Sequence, residues 1–273
     1  MRKIIAVFIC AVALFSCSKE QPRLTADESM KKGLALFQKK NYSDSITYFE
    51  NTIMEADNPE IAAKAQLFLA DAYFLDKKYP EAIPAYEQFL DIYSDTEDAN
   101  LAMLRLGLSH YALIDKIDRD MGAVEGALKS FTRLREKDPG FAREYELTKK
   151  IVELRSMLSA RELYVAKFYF RIGKPSSAES RLMYMFEKYK DTPEYEDGLY
   201  IYASWLAKQK GREREAMQYY NLLLKEFPQT KYAKDVAGGL TKLMLKVTEE
   251  LEKKQKEAQK AETKQEQPKE GTK

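Results

Sequence analysis

The sequence predicts an all-α protein built from repeated helix pairs, and three observations carry that prediction. Ala, Leu, Lys and Glu abound, while the 273 residues hold only 11 Gly and 9 Pro, a composition that favours helix. Residues 62–96 resolve into two apolar-periodic segments hinged at Asp76, Lys77 and Lys78. Blocks of the same design recur on both sides, as they must, because one helix pair cannot bury its apolar face alone.

Within residues 62–96 the first segment carries Leu69, Ala70 and Tyr73, and the second carries Tyr79, Ala82, Tyr86, Phe89 and Leu90. Small side chains at Ala70 and Ala82 let two antiparallel helices approach closely, and the aromatics fill the space between neighbouring pairs. A helix pair recurring at about 34 residues is the tetratricopeptide pattern. Five such pairs are expected, forming a right-handed curved solenoid closed by a C-terminal capping helix and a tail.

The first pair begins near Asp27 with Gly33, Leu34 and Phe37, continues through Tyr42, Ile46, Phe49 and Ile53, and closes at Asn58 and Pro59. The third carries Leu106, Gly107 and Tyr111, then Ala127, Phe131 and Leu134, before Asp138 and Pro139. Its two halves are separated by a charged loop at 114–121, about eight residues longer than a tight hinge requires. Residues 141–172 lack Gly and Pro and keep helical spacing, which predicts one long helix or two nearly continuous ones. The fourth pair turns at Gly173 and Pro175, and the fifth turns at Gly211 and ends at Phe227 and Pro228. A capping helix follows from Tyr232 to Leu245, with Gly238 and Gly239 as its weak spot. From Lys246 onward 15 of 28 residues are charged, so the tail is expected to start helical and to be disordered by Thr263. The expected divisions are therefore 1–16, 17–27, 28–140 for repeats one to three, 141–245 for the long helix, repeats four and five and the cap, and 246–273.

The amino terminus reads as a leader. Arg2 and Lys3 precede an apolar run of twelve residues, Ile4 to Phe15. That is shorter than the roughly 20 residues a membrane span needs, and it suits a signal-peptide core. The run ends Leu14, Phe15, Ser16, Cys17, which resembles the lipobox of bacterial lipoproteins, with Cys17 as the acylated residue. Ser18 stands where an inner-membrane retention aspartate would be, so sorting to the outer membrane is expected, with the body in the periplasm. Two or three acyl chains hold stably, at about 0.8 kcal/mol per buried CH2. Residues 17–27 would then be the lipidated end and its tether.

Removing Arg2 and Lys3 leaves 43 basic against 43 acidic side chains, which gives no nucleic-acid footprint. Both cysteines, Cys10 and Cys17, lie in the first 17 residues and cannot staple the body. No phosphate-binding glycine loop, nucleophile elbow or zinc-helix motif is present. His110, the one histidine, has no companion for a metal site, and an EF-hand reading of the charged loop fails because Ile117 stands where an acid is required. No catalytic residue, cofactor or metal is therefore expected. Helix-pair repeats instead bind polypeptide. Candidate contacts on the first helices of the first two pairs are Met30, Leu34, Phe37, Leu67, Asp71 and Phe74, against the alternative that they pack between repeats.

The lipobox, the five pairs and the insertion at Asp118, Arg119 and Asp120 together resemble the BamD (ComL) family of outer-membrane assembly lipoproteins. Glu162 to Ala166 leading to Tyr169, and Ser180 with Arg181, add to the resemblance, which spans roughly 29–228. It implies a non-catalytic scaffold at the periplasmic face of the outer membrane. The implied partners are the periplasmic domain of the barrel-forming subunit, other assembly lipoproteins, and the C-terminal signals of unfolded outer-membrane proteins. Arg181 becomes a candidate contact for an acidic group on the barrel-forming subunit, while Asp118, Arg119 and Asp120 either brace the junction between the two halves of the protein or join that interface. The other reading is a repeat lipoprotein acting as a secretin pilotin or cell-envelope coordinator.

Overall fold

The computed structural model describes residues 24–115 and 120–265. Cys17, the leader, Asp118, Arg119 and the end of the tail lie outside the described residues. Among those described there are twelve helices and no strand. They fall into two compact units, divided between Tyr93 and Ser94. That boundary lies one helix pair before the end of the expected 28–140 grouping.

The first unit holds two pairs: α1 (Ala26–Gln38) with α2 (Tyr42–Glu55), and α3 (Pro59–Leu75) with α4 (Tyr79–Tyr93). The second holds α5 (Ala99–Ala112) with α6 (Gly122–Lys137), the short α7 (Pro139–Glu144), α8 (Leu147–Arg171) with α9 (Pro175–Lys188), α10 (Glu194–Leu206) with α11 (Glu213–Glu226), and α12 (Ala233–Gln265).

Local chemistry fixes the starts. Thr25 and Glu28 form a reciprocal capping box: Glu28 N–H donates to Thr25 Oγ1 at 3.3 Å and Thr25 N–H donates to Glu28 Oε2 at 3.1 Å. Asn58 caps α3 by accepting from Glu60 N–H at 2.8 Å, with Pro59 at the first helical position. The same dipeptide that ends the first pair thus opens the second. Asp138 and Pro139 repeat the device at α7, where Phe141 N–H donates to Asp138 Oδ1 at 2.9 Å.

Four of the five pair hinges contain one residue in the left-handed region: Lys40, Lys77, Gly173 and Gly211. At three of them the next N–H reaches back five residues, Asn41 to Leu36, Lys78 to Tyr73 and Lys174 to Tyr169, each at 2.9 Å. This satisfies carbonyls that the helix end would leave open.

Each pair buries a small residue on its first helix, Gly33, Ala70, Gly107, Ala166 or Ala203, and a large one on its second, Phe49, Tyr86, Phe131, Leu182 or Tyr220, and in the first and third pairs the two meet. The contact is tight. A Cβ on Gly33 would meet Phe49 Cε1 at 2.7 Å, and one on Gly107 would collide with the Phe131 ring. This pairing, more than overall hydrophobicity, sets how closely the helices pack.

The Gly- and Pro-free stretch 141–172 is two helices in sequence. Glu146 takes φ 52°, breaking the run between α7 and the 25-residue α8. In α12 the two glycines do not interrupt the helix. A Cβ on Gly239 would stand 3.1 Å from Tyr220, so glycine there admits close packing on α11, while Gly238 faces open space. Val236 and Leu243 are the fully covered apolar residues of this helix, and every residue from Thr248 to Lys260 is exposed. The helix nevertheless runs to Gln265, two residues past the point where disorder was expected. Glu249, Glu250 and Glu252 stand four residues before Lys253, Lys254 and Lys256, an order that supports a solvated helix by about 0.3 kcal/mol per pair.

Candidate functional site

Most of the residues expected to meet a polypeptide in the first unit are held by internal packing. Met30, Leu34 and Phe37 are half-buried against the core of Ile46, Phe49, Leu69 and Ala72. Phe37 makes edge contacts with Tyr42 at 5.2 Å and Phe68 at 5.3 Å, and Phe68 stacks on Phe49 at 5.6 Å. Phe74 lies edge-on to Tyr79 at 5.8 Å and Tyr86 at 6.4 Å. Asp71 is buried, and its carboxylate accepts from the Tyr86 hydroxyl at 2.6 Å. Leu67 is half-buried. Beside them, burial and then the Glu50 carboxylate, which accepts from its hydroxyl at 3.1 Å, push Tyr73 up to about 12. Phe68, central to the ring cluster, was missed because it sits next to the stripe residue Leu69 and looks off-phase by strict periodicity.

In the second unit Arg181 on α9 faces back onto α8. Its guanidinium lies 3.3 Å from Glu162 Oε2, with 48% of the arginine side chain still exposed. The carboxylate that neutralises it therefore belongs to the same ELYVA stretch that gave the resemblance. Asp120 is exposed and accepts from Gly122 N–H at 3.0 Å, steadying the start of α6. Its companions Asp118 and Arg119 are outside the described residues. His110 is half-buried against Gly126, whose added Cβ would stand 2.5 Å from the ring.

Two clusters in this unit went unread. Arg155 on α8 donates from Nε and one terminal nitrogen to both oxygens of Asp191, at 2.8 and 2.5 Å, and also to the Lys188 carbonyl at 2.7 Å. That hydrogen bonding holds Asp191 below its ordinary value. The pair borders a groove of about 790 Å3 lined by Lys129 and Arg133 of α6, Ile151, Val152 and Leu158 of α8, and Tyr184 of α9. The second cluster ties three helices together. Arg212 donates to Glu215 at 2.7 and 2.8 Å, to the Tyr202 hydroxyl at 3.1 Å, and to Glu179, while lying 5.4 Å from the centre of the Trp205 ring. Partners 10 and 33 residues apart leave no periodic trace, so only the fold reveals the cluster.

Neither cluster has the electrostatics of an acid–base site. The carboxyls of Glu146, Asp191, Glu213 and Glu215 are each held below their ordinary range by hydrogen bonds and cationic partners. No group of three or more potential metal ligands occurs among the described residues. What the arrangement offers is grooves and half-exposed rings between helices, which are means of binding.

Residues 22–208, more than half of the chain, match the model of the YfiO family, described as an outer membrane lipoprotein. The chain belongs to this family. Residues 197–230, covering most of α10 and all of α11, also match a tetratricopeptide repeat. Relatives of the YfiO family chain include the outer membrane protein assembly factor BamD of Neisseria meningitidis serogroup A, 26% identical over 254 residues that cover 85% of this chain and 94% of the relative. The BamD of Rickettsia prowazekii is 24% identical over 202 residues, covering 74% and 80%. That of Haemophilus influenzae is 24% identical over 216 residues, covering 74% and 82%. The YfiO match begins just before the Thr25 capping box and ends just past α10, so it takes in the insertion loop, α8 and Arg181. Among the described residues no helix is long and apolar enough to cross a membrane.

Proposed function

We propose that the chain is the lipid-anchored scaffold subunit of the machinery that folds and inserts β-barrel proteins into the outer membrane. The family match over 22–208, with relatives named as outer membrane protein assembly factors, carries this reading. Cys17 bears the lipid and holds the body at the periplasmic face. The scaffold acts by binding alone. Its second unit docks on the periplasmic domain of the barrel-forming subunit and on other assembly lipoproteins, and its first unit receives segments of unfolded barrel proteins.

Arg181 is the proposed contact for an acidic group on the barrel-forming subunit. Its pairing with Glu162 supports that role, because one terminal nitrogen is engaged while nearly half the side chain stays open. The exposed guanidinium can then take a second carboxylate in a charge-assisted bond. Asp118, Arg119 and Asp120 are proposed as further contacts of the same partner. In the first unit the ring cluster around Phe37 and Phe68 is the proposed wall of the client surface.

Depletion of the protein tests the reading. Outer-membrane barrel proteins should fall and their unfolded precursors accumulate in the periplasm. Unchanged barrel levels after depletion would overturn it.

A further inference from the structure

We infer that the cleft between α8 and α10 is a recognition site for an extended polypeptide segment carrying an aromatic side chain next to an acidic one. The inference does not depend on the assembly role. It starts from a concavity of about 280 Å3 lined by Lys167 and Phe170 of α8, by Tyr200, Ser204 and Trp205 of α10, and by Lys208 in the turn that follows α10. That volume lies below the range of drug-sized ligand pockets, and it suits one or two side chains of a peptide.

The rings are fixed before anything binds. Trp205 stacks on Phe170 at 4.8 Å and 27°, lies parallel to Tyr202 at 6.3 Å, and has the Arg212 guanidinium 5.4 Å from its centre. Arg212 is itself held by Glu215, Glu179 and Tyr202. Tyr200 stacks on Tyr232 at 3.8 Å, and its hydroxyl donates to Asp235 at 3.3 Å. With ring faces already occupied, an incoming ring meets the lining edge to face, a favoured geometry. An anchored tryptophan loses little freedom on binding and is among the residues that dominate interface energetics.

Charge identifies the second half of the ligand. Lys167 and Lys208 are both exposed, and neither side chain has an ion-pair partner among the described residues. Among the described residues, Asp235 brings a carboxylate to the lining, on the hydroxyl of Tyr200. Two unpaired ammonium groups beside an aromatic platform attract a carboxylate near the docked ring and repel a lysine-flanked one.

The chain holds a single tryptophan, so Trp205 is its own reporter. The probe is a blocked peptide with one phenylalanine between two aspartates, titrated into the full-length protein and followed by Trp205 emission and by anisotropy of a labelled copy. Saturable binding is expected, weakening at least tenfold when the phenylalanine becomes alanine or the aspartates become lysines. Raising NaCl from 50 to 300 mM should also weaken it. K167E combined with K208E, both surface changes, should reduce affinity at least tenfold with an unchanged thermal melt. No saturable signal in either readout, equal binding of the lysine-flanked peptide, or full affinity in the double variant would each overturn the inference.

Discussion

The Tyr86 hydroxyl donates a 2.6 Å hydrogen bond to the Asp71 carboxylate in the closed interior of the second helix pair. Tyr86 fills the position that phenylalanine holds in the first and third pairs, and its extra hydroxyl accompanies a buried acid. Tyr86→Phe keeps the ring but removes the donor. It should destabilise the protein by about 1–3 kcal/mol in urea melts, the worth of a hydrogen bond to a buried carboxylate. A change below about 0.5 kcal/mol would mean that Asp71 is served equally well by other partners.

Two glycine-to-alanine changes should have opposite signs. At Gly107 the new methyl collides with the buried Phe131 ring, so overpacking of about 1–3 kcal/mol outweighs the helix preference for alanine. At Gly238 no atom lies within 4 Å and the backbone is helical, so alanine should stabilise by up to about 1 kcal/mol. Midpoints of thermal melts moving the same way in both variants would contradict the packing account.

This contrast also marks what the sequence makes legible. Gly33, Ala70, Ala82 and Phe131 announce the helix pairs because local spacing alone decides which face they occupy. The breaks were readable for the same reason, through the long loop before Gly122 and the Gly- and Pro-free stretch that becomes α7 and α8. Side-chain destinations were less readable. Phe37 and Phe74 lie half-buried among other rings, and Asp71 lies under Tyr86, because contacts from the neighbouring helix add to periodicity. The Arg212 cluster and the cleft at Trp205 gather residues from helices distant in sequence, and charge spacing on any one helix reads as an ordinary solvated face.

Arg212→Ala should lower stability by about 2 kcal/mol near neutral pH, through loss of charge-assisted bonds at a partly exposed site. Acid should erase the difference. Hydrogen bonding from Arg212 holds Glu215 below its ordinary value of 4.5. A lowered carboxylate contributes stability that is present above 4.5 and is lost as pH falls through its folded value. Melts of wild type and variant should therefore converge as pH falls below 4.5 and through the lowered folded value of Glu215. A gap that widens in acid would refute the assignment.

Truncation after Val247 removes the exposed residues Thr248 to Lys260 of α12 together with everything that follows them. Far-UV helicity should fall, while the urea midpoint of the remainder stays within about 0.5 kcal/mol of the full chain. A marked loss of stability would show that the charged extension packs on the body.

The anchor has its own test. Cys17→Ala should leave an unprocessed or soluble precursor, and normal membrane partitioning of that variant would refute lipidation at this cysteine.

Capture of the intact protein from cross-linked envelope membranes tests the scaffold role most directly. The account predicts that the barrel-forming assembly subunit dominates the captured proteins and that Arg181→Glu depletes it at least severalfold. Capture dominated by a secretin or a peptidoglycan factor, with the barrel-forming subunit absent, would contradict it.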